Sequence, residues 1–132
     1  MLTAIDSSVL LDVIIDAPER AEAAEKSLRL ASSEGGLVIC ECVVAEVRPT
    51  LSAKAFREFT EDWKLGFVPS SWESASLAGD LFETYLKRGG RGGRVVVDFL
   101  IGAHAFVHAD RLLARDRGYF RDYFKGLKLL SP

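Results

Sequence analysis

Cysteine is scarce in this 132-residue chain: Cys40 and Cys42, one residue apart, are the only two. A disulfide across such a spacing would be strained, and a lone Cys-x-Cys supplies half of a zinc site at most. Buried free thiols in a reducing compartment are the expectation. No run of about 18 uninterrupted apolar residues occurs, so nothing is expected to span a membrane. The N-terminus, Met1-Leu-Thr-Ala-Ile-Asp6, lacks the basic start and apolar stretch of a secretory signal, which points to the cytoplasm. Internal repeats and a second domain are also missing, leaving residues 1–132 as one domain with one core. With 48% hydrophobic and 27% charged residues, the composition is that of a folded globular protein rather than a disordered one.

A net charge of −2 looks unpromising for binding nucleic acid until it is resolved along the chain. Residues 1–85 carry 7 Lys/Arg against 15 Asp/Glu, whereas residues 86–132 carry 10 against 4. That segregation permits a local phosphate-binding surface on an acidic protein.

The hydrophobic pattern alternates strands with helices. Leu2 to Ile5 is a short apolar strand, and Asp6-Ser-Ser8 caps a helix that runs on through Ile15. After the break at Asp16-Ala-Pro18 a helix is expected over 19–31, with Pro18 near its start. Strands follow at 37–40 and 66–68, flanking a short helix at 43–47 stopped before Pro49 and an amphipathic one at 52–63. Ser71 caps a long helix to about Lys87. The glycine-rich segment Gly89 to Arg94 precedes an apolar helix over 95–109, and strands at 111–114 and 127–130 close the chain. Parallel strands need crossover helices, so the expected fold is α/β: an α/β/α sandwich around a mostly parallel sheet. Ligand sites in such sheets lie beyond the carboxyl ends of the strands, which places Asp6 and Asp116 at one edge.

Four acids stand in apolar company: Asp6 after the first strand, Glu46 in Val-Val-Ala-Glu-Val47, Asp98 in Val-Val-Val-Asp-Phe-Leu-Ile101, and Asp116 at the end of Leu-Leu-Ala-Arg-Asp116. A carboxylate so placed is costly unless it is paired, hydrogen-bonded or metal-bound. Converging carboxylates repel one another, and a hard divalent cation resolves the repulsion. Each acid alone also has a structural reading. Asp6 can cap a helix, Glu46 can sit on a solvated face, Asp98 can cap a helix start, and Asp116 can pair with Arg115 or Arg117 in a turn.

Taken in order, Asp6-Ser-Ser-Val-Leu-Leu-Asp12, Val44-Ala-Glu46-Val, Val97-Asp98-Phe-Leu-Ile-Gly-Ala-His-Ala105 and Leu113-Ala-Arg-Asp116-Arg-Gly-Tyr-Phe120 resemble the motifs of PIN domains. The nearest resemblance is to the toxin ribonucleases of VapBC toxin–antitoxin pairs, and it covers essentially the whole chain. It implies that Asp6, Glu46, Asp98 and Asp116 are the catalytic and metal-holding acids of an endoribonuclease that uses magnesium, with manganese able to substitute. The chemistry would be phosphodiester hydrolysis with the cation neutralising charge that grows on the phosphate oxygens. The resemblance further implies an RNA substrate, a VapB-type antitoxin partner and a homodimer. Ser8 departs from the Asn common at its position, and Ala114 from the Thr or Ser common before the last Asp. Asp12 fits the pattern but lies too far along the helix from Asp6 to be more than structural.

Arg91, Arg94, Arg115, Arg117 and Arg121 are the candidates for contacts to RNA phosphates. Tyr119, Phe120, Tyr123 and Phe124 can stack on bases or pack in a core. His104 and His108 have the i, i+4 spacing of metal ligands, but the Glu of a zinc-protease motif is missing, and a packed pair is expected. The Gly89–Gly93 segment lacks the Lys-Ser/Thr of a phosphate-binding loop. Two other classes compete with a nuclease. A signalling receiver module would need an acceptor Asp at the end of the third strand, where Val68-Pro69 stands instead. A non-catalytic binding domain would have no reason to keep all four acids.

Overall fold

A computed structural model describes residues 1–93 and 95–132; the expected phosphate contact at Arg94 lies outside the described residues. Five short strands form one sheet: β1 (Thr3–Ile5), β2 (Leu37–Ile39), β3 (Leu65–Phe67), β4 (Arg111–Leu113) and β5 (Leu129–Leu130). Their order is β3-β2-β1-β4-β5, with every pairing parallel. Successive strand residues face opposite sides of a sheet. Yet all three residues of β1 and all three of β2 are buried, so both faces are covered, as parallel sheets require. The expected α/β/α sandwich is what forms.

Seven α-helices make the crossovers: α1 (Ser7–Ile14), α2 (Ala21–Glu34), α3 (Glu41–Val47), α4 (Ala53–Asp62), α5 (Trp72–Lys87), α6 (Val95–His108) and α7 (Tyr119–Tyr123). No helix among the described residues is long and apolar enough to cross a membrane. Ser71 caps α5 through a reciprocal box with Ser74, as its position predicts. Helix α2 begins two residues later than Pro18 suggested. A turn through Ala17 comes first, with Glu19 held at φ 67 and the Arg20 and Ala21 N–H groups both bonded to the Ala17 carbonyl.

The chain visits β1, β2 and β3 on one side and then crosses to β4 on the other side of β1. This makes the carboxyl ends of β1 and β4 the point where the connections diverge, and a crevice opens there. The Asp6 N–H donates to the Leu113 carbonyl at 2.9 Å, so the β1–β4 ladder itself fixes Asp6 at the lip of that crevice.

Helix α6 is apolar on nearly every side because it packs on α5, α7, β1 and β4 at once. Phe99, fully buried, lies with ring centroids 5.3 to 6.1 Å from Phe82, Tyr85, Tyr119, Tyr123 and Phe124. Phe120 and Phe124 are likewise core residues, so of the four aromatics that could stack on bases these two are committed to packing.

Candidate active site

Asp6, Glu46 and Asp98 reach the crevice from different elements. Asp6 is the N-cap of α1, with extended backbone and a side chain that accepts from the Ser8 N–H. Capping and site membership are thus the same geometry: the cap carboxylate projects from the strand end where the crevice lies. The Ser8 hydroxyl also donates to Asp6 Oδ2. Its neighbour Ser7 donates to Glu46 Oε1 at 2.7 Å, so consecutive serines orient two acids from different elements. Asp98 enters from the first turn of α6, one residue before the Phe99 anchor.

Together Asp6, Glu46 and Asp98 line a cleft of about 390 Å³ that also exposes Ser7, Ser8, Arg20, Arg117 and Tyr119. A separate apolar recess between α5, α6 and α7 contains none of the four acids. Burial pushes the Asp6 carboxyl above its ordinary range, and Glu46 adds to this against the opposing hydrogen bonds from Ser8. Asp98 is pushed up to about 6, first by burial and then by the charge of Asp6, with Glu46 and Asp116 contributing and Arg117 opposing. Carboxylates that raise one another in this way form a site short of positive charge.

That donor set fits a hard divalent cation: it is all oxygen, with Asp6, Glu46 and Asp98 available, Asp12 on the same wall taken up by Arg115, and Arg117 opposing the acids at Asp98. Among the described residues the trio of ligand-type atoms closing to within 4.8 Å is Cys40, Glu41 and Cys42. The cleft acids stand further apart, a spacing suited to an ion that keeps several waters.

Asp116 is engaged otherwise. Its Oδ1 accepts from the N–H groups of Gly118 at 2.8 Å and Phe120 at 3.2 Å, and its Oδ2 from that of Arg121 at 3.0 Å. It therefore caps α7, a helix too short to leave a periodic signal in the sequence, and reaches Asp98 through its charge.

The arginines divide. Arg117 is exposed and lines the cleft. Arg115 lines it too, but its guanidinium grips Asp12 at 3.2 and 3.3 Å. Arg121 pairs with Asp122 at 2.9 Å, and neither it nor Arg91 lines the cleft. Sequence reasoning missed Arg20, which the Ala17 turn delivers to the cleft wall; no local motif marks it. It also missed Ser7, whose role depends on a partner 39 residues away.

Asp12 is 4% exposed and balanced by Arg115, whose backbone N–H meets the Ser8 hydroxyl at 3.3 Å. Asp12→Ala would leave a half-buried guanidinium without its partner. Urea denaturation should show a loss of about 1–3 kcal/mol; an unchanged midpoint would show that the pair contributes nothing.

The fold is shared with solved structures at low identity. It matches a VapBC2 complex from Rickettsia felis bound to a promoter DNA fragment (TM-score 0.73, 19% identity, covering 100% of this chain and 99% of that one). It also matches VapBC-1 from nontypeable Haemophilus influenzae (0.72, 17%, 99% and 98%) and DNA-bound VapBC from Salmonella typhimurium (0.70, 16%, 99% and 98%). No curated protein matches the sequence. The family model of the PIN domain, however, matches residues 3–125, nearly the whole of the sheet, its crossovers and the cleft acids, and the chain belongs to the PIN domain family.

Proposed function

We propose that this protein is a metal-dependent endoribonuclease, acting in the cytoplasm as the toxin of a type II toxin–antitoxin pair. The observation that carries the reading is the convergence of Asp6, Glu46 and Asp98 on one cleft, with Asp98 pushed up to about 6 by burial and by its acidic neighbours. In this reading Asp6, Glu46 and Asp98 hold magnesium, or manganese in its place, and Asp116 supports them from the rim. The bound cation would supply charge neutralisation at the phosphate and lower the pKa of the attacking water.

The chain's own residues do the rest. Ser7 and Ser8 fix the rotamers of Glu46 and Asp6 through their hydroxyls, and such supporting contacts tune metal affinity. Arg117 and Arg20 line the cleft from different parts of the chain, which supports a role for both in contacting the RNA phosphate backbone. Arg115 is committed to Asp12 and serves the RNA through its effect on the cleft wall. The solved structures that share this fold are VapBC complexes, which supports a VapB-type partner; assembly as a homodimer rests on the family resemblance alone.

The test is incubation of the purified protein with single-stranded RNA, with magnesium or with chelator, beside a DNA of the same sequence. Cleavage should require the metal, favour RNA, and fall on the order of 1,000-fold in Asp6→Asn. Equal cleavage by the wild type and Asp6→Asn would end the proposal, and preference for DNA would end its substrate assignment.

A further inference from the structure

The two cysteines are the groups the cleft leaves unused. Cys40 follows β2 at 1% exposure, and Cys42 lies in the first turn of α3. With Glu41 between them they bring two sulfur atoms and a carboxylate oxygen within 4.8 Å of one another. Both are free thiols. Proximity of this kind could be mere packing.

A second observation comes from the opposite wall. Among the described residues, two buried side-chain polar atoms lack a hydrogen-bond partner: Ser70 Oγ and His104 Nε2. Both belong to the surroundings of Glu41. The Ser70 N–H donates to the Glu41 carboxylate at 2.9 Å, and the His104 ring lies within reach of its charge. His104, on α6, is 1% exposed, and its Nε2 is closed off from solvent with no protein group to bond. A buried ring nitrogen left without a partner is costly unless something fills it, and a metal ion is one such partner.

We propose that Cys40, Cys42 and Glu41, joined by His104, form a second cation site, for a thiolate-preferring divalent ion of the zinc class. The donor set of two sulfurs, one oxygen and one imidazole nitrogen suits a four-coordinate structural zinc site. The all-oxygen cleft, by contrast, suits a hard ion. His104 Nε2 stands outside the 4.8 Å trio, so closing the fourth bond takes a side-chain adjustment, while the second Glu41 oxygen stays with Ser70. Binding displaces the thiol protons. The site would fasten α3 to α6, and these helices carry Glu46 and Asp98. It does not depend on the nuclease reading.

The test uses the full-length protein stripped of metal and titrated with Co²⁺, whose thiolate-to-metal charge-transfer band reports sulfur ligation. The band should appear in the wild type, persist in Asp6→Asn and Asp98→Asn, vanish in Cys40→Ser/Cys42→Ser, and be displaced by Zn²⁺. His104→Gln should weaken Zn²⁺ binding by about 10- to 100-fold. Because these positions are buried and the variants risk misfolding, alkylation of the wild-type thiols provides a measurement without mutation: Zn²⁺ should slow it at both cysteines. Absence of the sulfur band in the wild type, or alkylation at the same rate with and without Zn²⁺, would overturn the site. A band that follows Asp6 rather than the cysteines would assign the ion to the cleft and overturn it equally.

Discussion

Asp98→Asn should abolish cleavage while making the metal-free protein more stable. Loss of the carboxylate removes a ligand from the proposed cation, and a fall of about 1,000-fold in metal-dependent turnover is expected. The stability effect has the opposite sign. An acid pushed up to about 6 from an ordinary 3.8 binds its proton more tightly folded than unfolded, so folding weakens as pH rises from about 4 through 6. At neutral pH the ionised Asp98 is a burden. Its partial exposure and the opposing Arg117 reduce the effect to about 1–2 kcal/mol, and the neutral amide relieves it. Differential scanning calorimetry with chelator should show Asp98→Asn melting about 3–8 °C above the wild type at pH 7.5. The gap should shrink toward pH 5, where the wild-type carboxyl regains its proton. Magnesium should stabilise the wild type and not the variant, by mass action on the folded state. A variant that loses activity but melts below the wild type at every pH would mean that Asp98 supports the fold rather than a cation.

Phe99→Ala is expected to be the most destabilising single change. The ring is completely buried and lies against five aromatic rings drawn from α5, α7 and the residue after α7. Truncation removes both its burial and the faces its neighbours pack on, a loss of about 3–5 kcal/mol in equilibrium unfolding. Space for relaxation is scarce. A Cβ on Gly102, one turn along α6, would come within 2.6 Å of the Phe124 ring, so helix and rings are already in close approach. Because Asp98 precedes Phe99, metal affinity should fall along with stability, whereas Phe99→Leu should recover most of both. A cost under about 1 kcal/mol for Phe99→Ala would show that the cluster can collapse around the gap.

The elements that carry Asp6 and Asp98 were legible because two local signals coincide at each. An apolar run ends in a capping acid at Asp6, and an apolar helix carries one carboxylate at Asp98 on its first turn. Helix α7 was not legible. Five residues give no period, and its N-terminus rests on a left-handed Gly118 at φ 106 and on amide donors to Asp116. That helix changes the role of Asp116, which the sequence placed among the acids mainly through the family pattern, with a turn paired to Arg115 or Arg117 as its structural alternative. The five arginines looked alike in sequence as well. Asp12 and Asp122 as partners of Arg115 and Arg121, and the position of Arg91 off the cleft wall, set these three apart from Arg117.

By itself the sequence determined the alternation of strands and helices, the parallel sheet, the family and the acids at the strand ends. The family rests on the resemblance of the ordered motifs; the others follow from periodicity, capping and burial, which act over a few residues. The tertiary structure decided which groups meet: Ser7 with Glu46, Arg115 with Asp12, Arg20 with the cleft, and Ser70 with Glu41. Such partners lie tens of residues apart, and their approach depends on strand order and helix packing. Pairwise geometry of that kind leaves no trace in local spacing.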